Sequence, residues 1–118
     1  MIFIAKNEKG EPSWKLILEG KKTVTRRVKP LPVGKDFAIC PGRGKFAVCR
    51  AKVVSCVKHE DWVDAIWKDI GFKELQIKLD EDAVKEGFDK WLSLYNWFEN
   101  RGVKLIDLYR IEFEKLAL

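Results

Sequence analysis

The segment Gly20-Lys21-Lys22-Thr23-Val24-Thr25-Arg26-Arg27 constrains the chain more than any other, because it demands a change of backbone state. Gly20 follows a short apolar run, and glycine ends a helix readily because it reaches positive φ without a Cβ clash. The β-branched Thr23, Val24 and Thr25 then favour extended backbone. Strand alternation sends Thr23, Thr25 and Arg27 to one face and Val24, Arg26 and Val28 to the other. Two hydroxyls and a guanidinium then line one surface, with Lys22 at its entrance, which is the chemistry of a small polar or anionic site. The same residues also suit a solvated strand edge, where cations keep the sheet soluble.

The remaining chain reads as alternating extended and helical pieces. Met1 to Ala5 predicts a short buried strand, and Trp14, Ile17 and Leu18 recur at helical spacing behind Pro12 and Ser13, either of which can open the helix. The prolines of Lys29-Pro30-Leu31-Pro32-Val33-Gly34-Lys35 make it a basic loop, and Asp36 to Cys40 reads as a strand. Pro41-Gly42-Arg43-Gly44-Lys45 is a cationic turn without P-loop spacing. Phe46 to Val57 alternates clearly, with Ala47, Cys49, Ala51 and Val53 inward and Arg50 and Lys52 outward. His59-Glu60-Asp61-Trp62 opens a helix that breaks at Gly71, with His59 as a cap or surface residue. Residues 73–79 are ambiguous. Asp80 supplies the N-cap of a helix meeting Gly87, and Asp89 caps another carrying Trp91, Leu92, Leu94, Tyr95 and Phe98. In the last stretch Tyr109, Ile111 and Phe113 alternate with Arg110, Glu112 and Glu114, a half-buried strand.

A chain of 118 residues, 47% hydrophobic and 12% aromatic, fits one globular domain, and no apolar run reaches the length of a membrane helix. With no signal-peptide core, an intracellular, cytoplasmic location is the expectation. Three cysteines and a single His59, without a Cys-x-x-Cys pair, argue against a disulfide framework and a metal site, and no cofactor is expected. Residues 1–59 carry 14 Lys+Arg against 4 Asp+Glu, and residues 60–118 carry 9 against 14. That asymmetry, +10 against −5, suggests a face that meets a polyanion.

Gly-x-Lys-Thr-x-Thr-x-Arg after an apolar helix resembles the signature of the ASCH domain family. A second point of resemblance is Ala83-Val84-Lys85-Glu86-Gly87-Phe88, ahead of an aromatic-rich helix. The resemblance implies an α+β fold: a small β-barrel similar to the RNA-binding PUA domain, with helices packed at its mouth and side. It implies binding of RNA or a modified nucleoside in a cationic cleft. Thr23, Arg27, Lys29, Arg43 and Lys45 would then serve as ligand or RNA contacts, and Trp14 or Trp91 as a stacking platform. The alternative it implies is an amidohydrolase like those acting on acetylcytidine, whose catalytic Lys, Thr and Glu fall on Lys22, Thr25 and Glu86. A desolvated Lys22 beside Arg27 would take the proton of Thr25, and Glu86 would protonate the leaving amine. Arg26 doubles the signature arginine, and the Trp-rich middle region also looks closer to another branch of the family.

Overall fold

In the computed structural model, which describes residues 1, 3 and 5–116, the handover at Gly20 occurs where the sequence predicts it. Helix α1 (Ser13–Leu18) ends, Gly20 takes φ +77°, and strand β1 (Val24–Arg27) begins four residues later. Pro12 is the N-cap, and Ser13 is the first helical residue. The backbone N–H groups of Lys21 and Lys22 both donate to the Leu16 carbonyl, at 2.8 and 3.1 Å, which folds the signature segment back onto α1.

Strands β2 (Asp36–Ile39), β3 (Cys49–Lys58) and β4 (Tyr109–Lys115) join β1 in one antiparallel sheet of order β1-β4-β3-β2. Helices α2 (His59–Ile70), α3 (Phe72–Lys85) and α4 (Trp91–Glu99) lie between β3 and β4 in the chain, so the architecture is α+β. The described part of the expected Met1–Ala5 strand runs beside the end of β2: Phe3 N–H donates to the Cys40 carbonyl and Cys40 N–H to the Met1 carbonyl. Ile2 and Ile4, the rest of that expected strand, lie outside the described residues. Among the described residues no helix is long and apolar enough to cross a membrane.

One face of the sheet carries the principal core, where Phe3, Ile17, Phe37, Ile39, Cys49, Ala51, Val53, Ile111 and Phe113 pack together. The rings of Phe3, Phe37 and Phe113 meet with centroids 5.8–6.4 Å apart, within the range of favourable aromatic pairing. Burial raises the Cys49 thiol above its ordinary range, as expected of a reduced core cysteine. A second cluster joins Ala83, Phe88, Leu94, Phe98 and Leu108 around the ends of α3 and α4.

Several elements depart from the sequence expectation. β3 starts at Cys49, and Phe46, expected inside the strand, is 95% exposed. Val48 N–H still donates to the Ile39 carbonyl at 2.9 Å, so the pairing with β2 gives out just before it. α3 is one continuous helix from Phe72, so Asp80 is interior and does not cap it; its carboxylate accepts the Trp91 backbone N–H at 2.8 Å. Lys90, not Asp89, is the N-cap of α4, and Asp89 forms an exposed ion pair with Lys9. A 3₁₀ turn, Leu105–Asp107, precedes β4. Arg110, expected on the solvent side of β4, is buried.

Candidate functional site

One backbone bond assembles the site. Thr23 N–H donates to the Lys85 carbonyl at 2.7 Å, and the Thr23 carbonyl accepts from Phe113 N–H at 3.0 Å. The signature segment is thereby pinned between the C-terminal end of α3 and β4. Glu86, the C-cap of α3, then lies beside Lys22 although 64 residues separate them. Gly87 follows with φ +101°, turns the chain, and offers its carbonyl to Asn7 Nδ2 at 2.7 Å.

These connections frame a solvent-open cavity of about 270 Å³. Lys22, Thr25, Arg26, Arg27 and Glu86 line its polar side; Phe3, Leu16, Phe88, Trp97 and Phe98 supply apolar wall. Lys22, Thr25 and Glu86 are each about 95% buried or more. Lys22 Nζ donates to the Glu86 backbone carbonyl at 2.7 Å. Burial is the main force lowering the Lys22 pKa to about 8; nearby Arg27 and Arg26 push the same way, and Glu86 and Asp82 oppose them. Arg27 sits over the Phe3 ring, 4.5 Å from its centroid, and burial lowers its pKa as well.

Behind the cavity lies a buried ionic network that the strand register dictates. Arg26 pairs directly with Arg110 across β1 and β4, which places two guanidiniums on one face of the sheet. Asp82 stands between them, accepting from Arg26 Nη2 and from Arg110 Nη2, each at 2.7 Å. Arg26 Nη1 donates to Glu86 Oε1 at 2.5 Å, and Arg26 Nε donates to His59 Nδ1 at 3.1 Å. The guanidinium of Arg26 also faces the rings of Trp62 and Trp91, 5.3 and 5.2 Å from their centroids. His59 stacks on Trp91 with ring centroids 5.5 Å apart.

The protonation states follow from these contacts. Burial, then the cation of Arg26, lowers the His59 pKa to about 4, so the ring is neutral and its proton sits on Nε2. Burial tends to raise the Asp82 pKa, but its bonds to Arg110 and Arg26 prevail and hold it below the usual carboxylate value. Among the described residues, every buried side-chain nitrogen and oxygen has a hydrogen-bond partner.

Of the residues singled out from sequence, Lys22, Thr25, Arg27 and Glu86 share the cavity. Thr23 does not line it, and its main chain is the tether described above. Trp14 does not line it either; it packs against the principal core. Trp91, the other candidate stacking platform, is occupied by His59 and Arg26. Lys29, Arg43 and Lys45 are exposed on the loops around β2. Sequence reasoning missed Arg26, Asp82 and Arg110, and His59 is buried rather than a surface cap. The signal that could have found Asp82 was its four-residue spacing from Glu86, which sets both carboxylates on one side of a helix; no local signal marks Arg26, Arg110 or His59. Among the described residues no cluster of three His, Cys, Asp or Glu side chains is arranged to hold a metal.

No protein-family model matches the sequence, and no curated protein matches it. Among solved structures, protein EF3133 from Enterococcus faecalis V583, of family DUF984, aligns at 12% identity with a TM-score of 0.46, covering 98% of this chain and 78% of that one. A likeness of this degree carries no function across.

Proposed function

We propose that this chain is an ASCH-like domain that binds a modified nucleoside, free or within RNA, in the cavity beside β1. The observation that carries the reading is the meeting of Lys22, Thr25, Arg27 and Glu86 with an aromatic wall in one cleft. A nucleoside needs stacking surface for its base and donors and acceptors for its edges. Phe3, Phe88, Trp97 and Phe98 offer the former; Ser13, Thr25 and Lys22 offer the latter. The volume, about 270 Å³, falls just below the roughly 300–1,000 Å³ of most ligand sites, which suits nothing larger than one nucleoside unit. A PUA-like closure of the sheet belongs to the same proposal. The N-terminal segment bonds to Cys40 beyond β2, while its Phe3 lies under Arg27 of β1, so it reaches towards both outer strands. Exposed Lys29, Lys35, Arg43 and Lys45 would follow the phosphates of an RNA in the cytoplasm.

A second reading, hydrolysis of an acyl amide on the nucleoside, is favoured by one observation: Lys22 is buried beside Glu86 with its pKa brought to about 8. The deprotonated Lys22 amine takes the proton of Thr25 as Oγ1 adds to the acyl carbon. Collapse of the tetrahedral intermediate expels the amine of the nucleoside, which takes a proton from the Lys22 ammonium, and water then hydrolyses the threonyl ester. Glu86 meets Arg26 as a carboxylate acceptor, so its part is to seat Lys22 through the main-chain bond.

The experiment is binding and turnover with a panel of nucleosides and acyl nucleosides, for wild type and Lys22→Ala. Saturable binding without product, weakened at least about tenfold by the substitution, supports the binding reading. Release of free nucleoside that falls by about 10²–10⁴ in Lys22→Ala establishes the hydrolase. Absence of both binding and turnover across the panel rejects the nucleoside altogether.

A further inference from the structure

Positive charge is in excess on the cavity lining. Arg26 and Arg110 are matched by Asp82 and Glu86, with Glu112 a further 3.7 Å partner of Arg110, so the network itself brings no surplus cation. Glu86 is the one carboxylate among the described residues lining the cavity, and Arg26 engages it. On the same lining stand two further buried or half-buried cations, Lys22 and Arg27, with exposed Lys6 at the edge. Lys22 sends its hydrogen bond to a neutral acceptor, the Glu86 carbonyl, which supplies no countercharge. An ammonium has three N–H groups to give. A buried ammonium in this position is costly unless an anion shares the space.

We infer that the ligand carries an anionic group of phosphate type, seated against Lys22 with Arg27 beside it. The inference rests on the nucleoside-binding reading and names its substrate class: a nucleotide in preference to a nucleoside. A phosphate monoester brings about −1.5 to −2 charges at pH 7 and three acceptor oxygens, enough to reach an ammonium and a guanidinium together; a carboxylate brings one charge and two oxygens. The downward pull that Arg27 and Arg26 exert on Lys22 agrees with such an excess of positive charge. Bound phosphate would hold Lys22 as an ammonium, so the same ligand would suppress its action as a base.

The test is calorimetric titration of the full chain at pH 7 with cytidine, acetylcytidine, the 5′-monophosphate of each, and inorganic phosphate. The expected result is a monophosphate at least about tenfold tighter than its nucleoside, with inorganic phosphate competing. That advantage should vanish in Lys22→Met. Competition by phosphate in the wild type decides the matter independently if the variant does not fold. Affinity should also fall as pH rises through about 8, where Lys22, its pKa lowered by burial and by Arg27 and Arg26 against the opposing pull of Glu86 and Asp82, loses its proton. Equal affinity for nucleoside and monophosphate, without competition by phosphate, overturns the inference and leaves the nucleoside reading standing. Phosphate binding to which no nucleoside adds affinity supports the anion site and overturns the nucleoside reading. A short single-stranded RNA binding tighter than the monophosphates assigns the phosphate to a polymer, and weaker binding assigns it to a free nucleotide; both retain the site.

Discussion

Asp82 holds two guanidiniums with one carboxylate, and the strands beneath it bring like charges face to face without it. Replacing Asp82 with Asn keeps the shape and removes the charge, leaving buried Arg26 with Glu86 and buried Arg110 with only the longer, part-exposed contact to Glu112 at 3.7 Å. The expected cost is about 3–5 kcal/mol, measurable by urea unfolding at neutral pH. His59 sets a pH dependence of its own. Its folded pKa is about 4 against an ordinary histidine value of 6.5, so between these limits the unfolded chain binds a proton that the folded one refuses. Stability therefore falls as pH drops through that window, by up to roughly 3 kcal/mol. In His59→Gln, whose carbonyl can still accept from Arg26, the wild-type slope between pH 6.5 and 4 should flatten. Asp82 acts lower: its pKa is depressed, so its stabilisation is present above pH 3.8 and lost as pH falls further. At this scale Lys22 and Thr25 were legible because a local motif carries them. Arg26 was not, because its partners lie 33, 56 and 60 residues away and only strand register brings them into reach.

Among the elements, α3 matters most, since its C-terminal end delivers Asp82 and Glu86 together. Its stop is conformational. A Cβ on Gly87 would meet Leu16 Cδ1 at 2.8 Å, and φ +101° strains any L side chain. Gly87→Ala should thus destabilise by about 1–3 kcal/mol and disturb the cavity, since Leu16 and Phe88 both line it; thermal melting and ligand titration report the two effects. The α1–Gly20–β1 handover, β2, β4 and the end of α3 were readable from turn residues and alternation. The first half of α3 was not: Lys73 to Leu79 mixes charges and apolar groups without a face, and Phe72 and Ile77 remain largely exposed. Its helicity is set by the single buried anchor Leu75 and by continuity with the packed second half, where Asp82 and Ala83 are buried. The alternation of β4 misled at Arg110 because the far face of the sheet is covered by helices rather than water.

For the whole molecule, Lys22 links the cavity to stability at alkaline pH. Its folded pKa of about 8 lies below the 10.5 of the unfolded group, so the unfolded chain holds the extra proton between them. Stability contributed at this site rises with pH from about 8 to 10.5, as the penalty of burying an ammonium fades. A ligand anion works against that trend by keeping Lys22 charged. The difference between wild type and Lys22→Met, measured across this range, should show the rise, and phosphate should diminish it.

The ionic network has a consequence in time as well as in free energy. β1, α2, α3 and β4 each contribute a member, and none of its bonds joins residues close in the chain. Such a cluster completes only after the segments have docked, beyond the rate-limiting barrier of folding. Interactions absent from the transition state act on the way out. Stopped-flow measurements on Asp82→Asn should show unfolding accelerated by nearly the whole equilibrium effect and refolding almost unchanged. The network is then what keeps the folded chain from opening, a latch on lifetime that takes no part in finding the fold.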